Sequence, residues 1–276
     1  MVRRRRSRPL VLVVALLFAF GPAIVQAMAG QCSMATLKGN YGLVEQGTII
    51  KPSAGLPALP LPYANGGLAT LDGAGHVSGT YAGSFGGVIV GGPFTGSYTV
   101  NPDCTFSLQF TPSPFPEVLH LAGTITREGI FQEITYIYTD ANLVASGTGR
   151  KTSPWQCSLA TAKGSYAHFG QGTVTAQIPG FPPPPFPDAH SGVITFDGRG
   201  HFSGQYTGNL HGVAGVTTFT GTYTVNTDCT VLAVINLSNG LVVHEAGTIT
   251  GVWPFQEYHG IITDAGWVFT DAAKQQ

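Results

Sequence analysis

Charge is scarce in this chain. Only 10% of its 276 residues are Asp, Glu, Lys or Arg, far below the charged, heptad-patterned composition of a coiled coil or long helix. The familiar signatures of catalysis are missing too. There is no Gly-x-Ser-x-Gly elbow, no His-Glu-x-x-His, no phosphate-binding loop and no dinucleotide fingerprint. The four cysteines form no CxxC pair, and no histidine spacing suggests zinc. The motifs therefore lead one to expect neither a metal nor a cofactor. Beyond Phe20 no apolar run is long enough to cross a bilayer as a helix.

What is abundant points one way. Glycine stands at 38 and proline at 19, with Thr, Tyr, Phe and Val recurring throughout. These are turn formers and strand formers, so the chain reads as all-β. A hydrophobic fraction of 43% with little charge excludes disorder.

The N-terminus reads as a secretory signal peptide covering residues 1–29. Arg3 to Arg6 and Arg8 form its basic region, Leu10 to Phe20 its apolar core, and Gly21-Pro22 a break. Val25-Gln-Ala27 and Ala27-Met-Ala29 are two small-x-small cleavage sites. Arg8 and Pro9 fall where a twin-arginine signal needs apolar residues, so ordinary secretion is the expectation. Cleavage would remove five of the 13 basic residues and none of the 14 acidic ones, leaving a mature net charge of about −6. An acidic chain of this kind is a poor partner for nucleic acid or an anionic membrane surface. The expected location is secreted or periplasmic, with no membrane insertion after cleavage.

The mature chain is a tandem duplication. Phe94-Thr-Gly-Ser-Tyr-Thr-Val-Asn-Pro-Asp-Cys-Thr105 returns as Phe219-Thr-Gly-Thr-Tyr-Thr-Val-Asn-Thr-Asp-Cys-Thr230. The copies divide as residues 30–150 and 151–276. Four cysteines allow three pairings. The repeat favours Cys32–Cys104 and Cys157–Cys229, which let each copy close its own loop, worth on the order of 4 kcal/mol in a chain-entropy account.

Each copy starts with a short turn, as at Ser33 to Leu37, then a strand. A proline-rich connection follows, Pro52 to Pro62 or Pro179 to Pro187, expected to be extended and to lie at the surface. Asp72-Gly and Asp197-Gly then mark hairpins. The next strands alternate. Phe94, Gly96, Tyr98 and Val100 share one face, and Thr95, Ser97 and Thr99 the other. The last strand of each copy is read over Leu143 to Gly147 and Gly266 to Phe269, with a linker from Arg150 to Trp155. About seven or eight strands per copy, recurrent glycines and hairpin-length connections favour closure into a barrel.

Few polar residues recur in both copies, and these are the natural candidates for chemistry. Aspartates such as Asp72/Asp197 and Asp103/Asp228 sit in turns, where they shape backbone. Glu133 and Glu257 each follow Phe-Gln within a strand, with His120 and His244 on a neighbouring strand. On an inward face each pair would supply a carboxyl of raised pKa and an imidazole for acid–base work. On an outward face all four are surface groups.

The pattern Cys-Ser-x-Ala-Thr-x-Lys-Gly-x-Tyr, then Asp-Gly-x-Gly, then Gly-x-Tyr-x-Val-Asn-x-Asp-Cys-Thr resembles a group of secreted bacterial proteins related to calycin-like and allene-oxide-cyclase-like β-barrels. The resemblance spans the mature chain twice. It implies two tandem antiparallel β-barrels and carries no catalytic residue with it. The expected function is non-enzymatic: binding of a small apolar or amphipathic ligand, or a surface interaction. The alternatives are a cyclase or isomerase using Glu133/His120 and Glu257/His244, or a purely structural exported module.

Overall fold

Tyr, Phe and Val at every second position need a shared interior, and closing the sheet on itself provides one without leaving edges. A computed structural model describes residues 32–51, 59–126, 129–178 and 182–276. Residues 1–29, read as a signal peptide, lie outside the described residues, as do 52–58 and 179–181 of the proline-rich connections.

The first copy runs through β1 (Gly39–Ile49), β2 (Leu61–Leu71), β3 (His76–Phe85), β4 (Val88–Val100), β5 (Thr105–Pro112), β6 (Leu119–Ile125), β7 (Glu133–Tyr138) and β8 (Leu143–Lys151). The second runs through β9 (Gly164–Val174), β10 (Phe186–Phe196), β11 (His201–Leu210), β12 (Val213–Val225), β13 (Thr230–Leu237), β14 (Val242–Thr250), β15 (Glu257–Ile262) and β16 (Trp267–Gln275). Every neighbouring pair is antiparallel. β8 returns to β1 and β16 to β9, giving two closed eight-stranded barrels.

Alternation separates lining from wall. Phe94 and Tyr98 are buried inside barrel 1, and Phe219 and Tyr223 inside barrel 2. The outward registers of β4 and β12 carry Thr95, Ser97 and Thr99, and Thr218, Thr220, Thr222 and Thr224. On these two strands hydroxyls face outward and aromatic rings face the lumen. Glycines make room for the rings. A Cβ at Gly79 would meet the Phe94 ring, and one at Gly204 the Phe219 ring.

One end of each barrel is stoppered. A 3-10 turn, Met34–Leu37 or Leu159–Ala162, lies there, and the lumen tyrosines reach it: Tyr98 donates to Met34 O at 3.1 Å and Tyr223 to Leu159 O at 3.1 Å. The disulfides Cys32–Cys104 and Cys157–Cys229 fasten this end, with Cα atoms 5.0 and 4.9 Å apart. Cys104 and Cys229 take φ of 67° and 73°, a left-handed conformation uncommon outside glycine. Their turns are held by Thr105 N and Thr230 N donating to Asp103 and Asp228, each at 3.0 Å. Two disulfides suit an oxidising, extracytoplasmic compartment.

Four strand limits differ from the sequence reading. Pro62 and Pro187 fall just inside β2 and β10, near strand starts where a missing N–H is tolerated. The final strands are longer than expected, reaching Lys151 and Gln275, so Arg150 belongs to a strand and not to the linker. Alternation in β8 and β16 is masked by glycine and alanine, which carry little hydrophobic signal.

The barrels lie against each other, with β1 to β3 facing β14 to β16. Thr250 and Ile261 are fully buried although they point out of their own lumen. Gly42 permits this approach, since a Cβ there would press on Thr248 and Thr250. Thr270 donates to Gln46 Oε1 at 3.0 Å and Ser84 to Trp267 O at 2.6 Å. The charged centre of the contact is Glu257, bonded to Arg150 of the other barrel, with His259 at 3.2 Å and Lys274 at 3.3 Å. Burial alone would raise the Glu257 carboxyl. Hydrogen bonds from His259 and Arg150 outweigh that and bring it from 4.5 to about 2.

A carboxyl depressed in the folded state stabilises above its ordinary range and loses that contribution as pH falls through the folded value. Arg150→Met should therefore cost about 3 kcal/mol at neutral pH, the scale for breaking a buried pair. The gap to wild type should close as pH drops from 4.5 towards about 2. Denaturant melts across that range check this; a gap independent of pH would assign the loss to packing.

Candidate functional site

The two lumens hold different chemistry. In barrel 1 the aromatic lining leaves a cavity of only about 80 Å³. Glu45, inward on β1, is buried within it at 4% exposure. Three tyrosine hydroxyls donate to its carboxyl: Tyr63 to Oε2 at 2.9 Å, Tyr136 to Oε1 at 3.1 Å, and Tyr138 to Oε2 by a shorter bond. Burial raises the Glu45 carboxyl above its ordinary range, and the tyrosine bonds offset this only in part. All three tyrosines are themselves pushed up, first by burial and then by the Glu45 charge.

Barrel 2 encloses about 390 Å³. Its lining is layered along the axis. Phe196, Phe202 and Tyr258 lie near the stoppered end, and Leu210, Leu237 and Trp267 near the other. Between them runs a polar belt. Gly170 on β9 pairs with His190 on β10 and with Asp271 on β16. His190 Nε2 lies 3.1 Å and His168 Nε2 3.2 Å from Asp271 Oδ1. His190 Nδ1 lies 3.0 Å from Asp188 Oδ1. The belt continues to Glu245 on β14, 8% exposed, and to the neighbouring Tyr258 hydroxyl; neither Glu245 Oε1 nor that hydroxyl makes a well-aligned hydrogen bond.

Electrostatics bind this belt together. Burial opposes charge on His190, but bonds to Asp188 and Asp271 overcome it and push the imidazole up to about 10. Asp271 is likewise opposed by burial and held below the carboxylate range by the bonds from His168 and His190. Glu245 is pushed well up, first by burial and then by the Asp271 charge. The belt thus pairs an ionised Asp271 with a neighbouring acid that resists ionisation.

None of these groups recurs between the copies. Glu45 corresponds to Gly170, Asn65 to His190, Leu43 to His168 and Gly147 to Asp271. The exchanges are sterically matched. A Cβ at Gly170 would overlap Asp271 Oδ1 and His190 Nε2, while one at Gly147 would overlap the Tyr136 ring. Gly260, counterpart of Tyr136, leaves the space that Tyr258 and Glu245 Oε1 occupy.

The recurrent residues sit elsewhere. Glu133 lies on the outward register of β7, opposite Arg150, and Glu257 lies in the contact between barrels. His120 and His244 are half-exposed outside the lumen. Each holds an aspartate of the loop before the last strand, with Nδ1 2.9 Å from Asp140 Oδ1 and Asp264 Oδ1. They do not meet the glutamates: His120 O takes the amide of Thr139 at one end of β7, and Glu133 O takes that of Thr126 at the other. Asp72 and Asp197 order their hairpin turns. The polar residues shared by the copies make turns and clasps. The functional groups carry the opposite signal, a polar residue in one copy matched by glycine or an aliphatic residue in the other.

Glu45→Gln tests the barrel 1 site, because the amide is isosteric with the protonated acid. A carboxyl raised by folding stabilises below its ordinary value and loses that contribution as pH rises through the folded value. The variant should therefore gain on wild type between pH 4 and pH 8 in paired thermal melts. A constant difference would mean the Glu45 carboxyl is not raised. Neither any protein-family model nor any curated protein sequence matches the chain.

Proposed function

We propose that this protein acts outside the cytoplasm by holding one small apolar or amphipathic molecule in the lumen of barrel 2. The observation that carries this reading is the cavity of about 390 Å³, polar at its waist and apolar above and below. Small-molecule sites have this make-up: mostly apolar walls with a few convergent polar groups. Barrel 1, with about 80 Å³, has room for little more than water and serves as a packed companion. Val213 and Leu241, apolar yet exposed, stand at the mouth beside the hairpin turns, where an apolar guest would enter. Export directed by residues 1–29 agrees with the two disulfides.

A second reading is an acid–base enzyme of cyclase or isomerase type. The imidazoles and carboxyls of the belt favour it, and it would work through His168, His190 and Glu245 in place of Glu133 and His120. Native mass spectrometry of protein from its own host separates the two readings. A guest recovered unchanged after prolonged incubation would sink the enzyme.

The neutral probe N-phenyl-1-naphthylamine tests the binding reading. Its fluorescence should rise with one saturable site per chain. Gly215 lines the cavity, and a Cβ added there meets nothing within 4 Å. Gly215→Trp should therefore fold normally, block the lumen and weaken the probe at least about tenfold, or 1.4 kcal/mol. Undiminished binding by this variant, or no binding by the wild type, would refute the proposal.

A further inference from the structure

The belt of barrel 2 has the form of a metal site. His168, His190 and Asp271 each offer one ligand atom, and the three atoms lie within 4.8 Å of one another. Both imidazoles aim Nε2 at the same oxygen, Asp271 Oδ1, at 3.2 and 3.1 Å. Two atoms each about 2.1 Å from one ion sit roughly 3.0 to 3.4 Å apart, so the two nitrogen–oxygen separations, hydrogen bonds here, are already close to those that a shared cation requires. The ring of His190 is already oriented from behind by Asp188, 3.0 Å from Nδ1. A carboxylate on the far nitrogen is the usual support of a metal-bound histidine, since it holds the Nδ1 proton while a cation takes the place of the proton on Nε2.

Two further observations point to a missing cation. Glu245 is buried, and its Oε1, beside the Tyr258 hydroxyl, makes no well-aligned hydrogen bond. It lies over Gly260, the ladder neighbour of Asp271, so it overhangs the same spot. The two imidazoles of the belt are engaged by Asp188 and Asp271, which leaves the third carboxyl, Glu245, without a cationic partner of its own. Buried carboxylates are paired or coordinate metals.

We infer that His168, His190 and Asp271 bind a divalent transition-metal cation of the zinc or iron class, with Asp188 orienting His190 and Glu245 beside an open position facing the cavity. Two imidazoles and one carboxylate suit borderline cations and disfavour calcium or magnesium, which take oxygen ligands. Barrel 1 has no such site, since Leu43, Asn65 and Gly147 stand at the matching positions. The ligands are distant in sequence and come from the first, second and last strands of the barrel. Only closure of β16 onto β9 assembles them, which is why no ligand spacing marked them in the sequence. The inference is independent of any organic guest.

The test uses the mature two-barrel protein after chelator treatment, titrated with Co²⁺ and then Zn²⁺. One equivalent of Co²⁺ per chain should give visible d–d absorption, which Zn²⁺ should displace. In the wild type, Zn²⁺ should shift the Nε2 resonances of two of the eight histidines. His168→Gln and Asp271→Asn should each weaken Zn²⁺ at least about tenfold, and Asp188→Asn by about 10-fold through lost orientation. The double variant His120→Ala/His244→Ala, at exposed surface pairs, should bind as wild type. No saturable binding by the wild type would overturn the inference, and so would shifts confined to other histidines, a readout that needs no variant to fold. Affinity unmoved by a folded His168→Gln would do the same.

Discussion

An eight-stranded barrel encloses a lumen only about as wide as the side chains that line it. Everything inside therefore competes for one fixed volume, and each large inward group needs a small one opposite. Gly79 beneath Phe94 and Gly204 beneath Phe219 show the rule in its shared form. Gly147 beneath Tyr136 and Gly170 beneath Asp271 and His190 show it where the copies part. The same constraint lets one lumen fill with Glu45 and its tyrosines while the other opens around a histidine–aspartate belt. Neither set could be moved into the other barrel by a single substitution, because the space it needs is taken by the counterpart's compensating residue.

The fold was legible because it rests on features that both copies keep. Alternation in β4 and β12, Asp-Gly hairpins and equally spaced cysteines gave barrels of seven or eight strands and the disulfide pairing, and the barrels have eight. The chemistry was not legible by the same method. Glu133 and Glu257 recur as the first residues of β7 and β15 and face no lumen. Asp271 escaped notice since β16 extends past Phe269 through Thr-Asp-Ala-Ala, where small residues hide the alternation. Glu45 and His190 escaped notice since their counterparts are Gly170 and Asn65. In a duplicated chain, repetition marks the scaffold, and divergence at inward positions marks what each scaffold holds.

Contact between the barrels ties these levels together. β14, β15 and β16 present Glu245, Tyr258 and Asp271 to the lumen on one face and Thr250, Glu257 and Ile261 to barrel 1 on the other. Half of the wall that carries the belt is thus clamped from behind, with the Arg150–Glu257 pair at its centre. A packed interior resists deformation, so the filled lumen of barrel 1 makes a stiff backing for that wall. Among the described residues the opposite wall, β11 to β13, makes no comparable contact with barrel 1, and it ends in the turns that frame the mouth. Its β12 start is exposed from Val213 to Val216, and an added Cβ at Gly215 meets open space.

This asymmetry accounts for why one barrel can be open at all. Apolar surface left unfilled loses contacts that a packed core would keep, at a cost that grows with cavity volume. A lone barrel with a cavity of about 390 Å³ and a belt of buried carboxyls would carry both that cost and the desolvation of its charges. Here the burden is spread. A disulfide and a 3-10 stopper hold the closed end, and the neighbouring barrel buries the outer face of three strands. The duplicated copy need not share the binding chemistry to contribute to it. Its value lies in being nearly full, with Glu45 and three tyrosines satisfying one another in a lumen left with a cavity of only about 80 Å³.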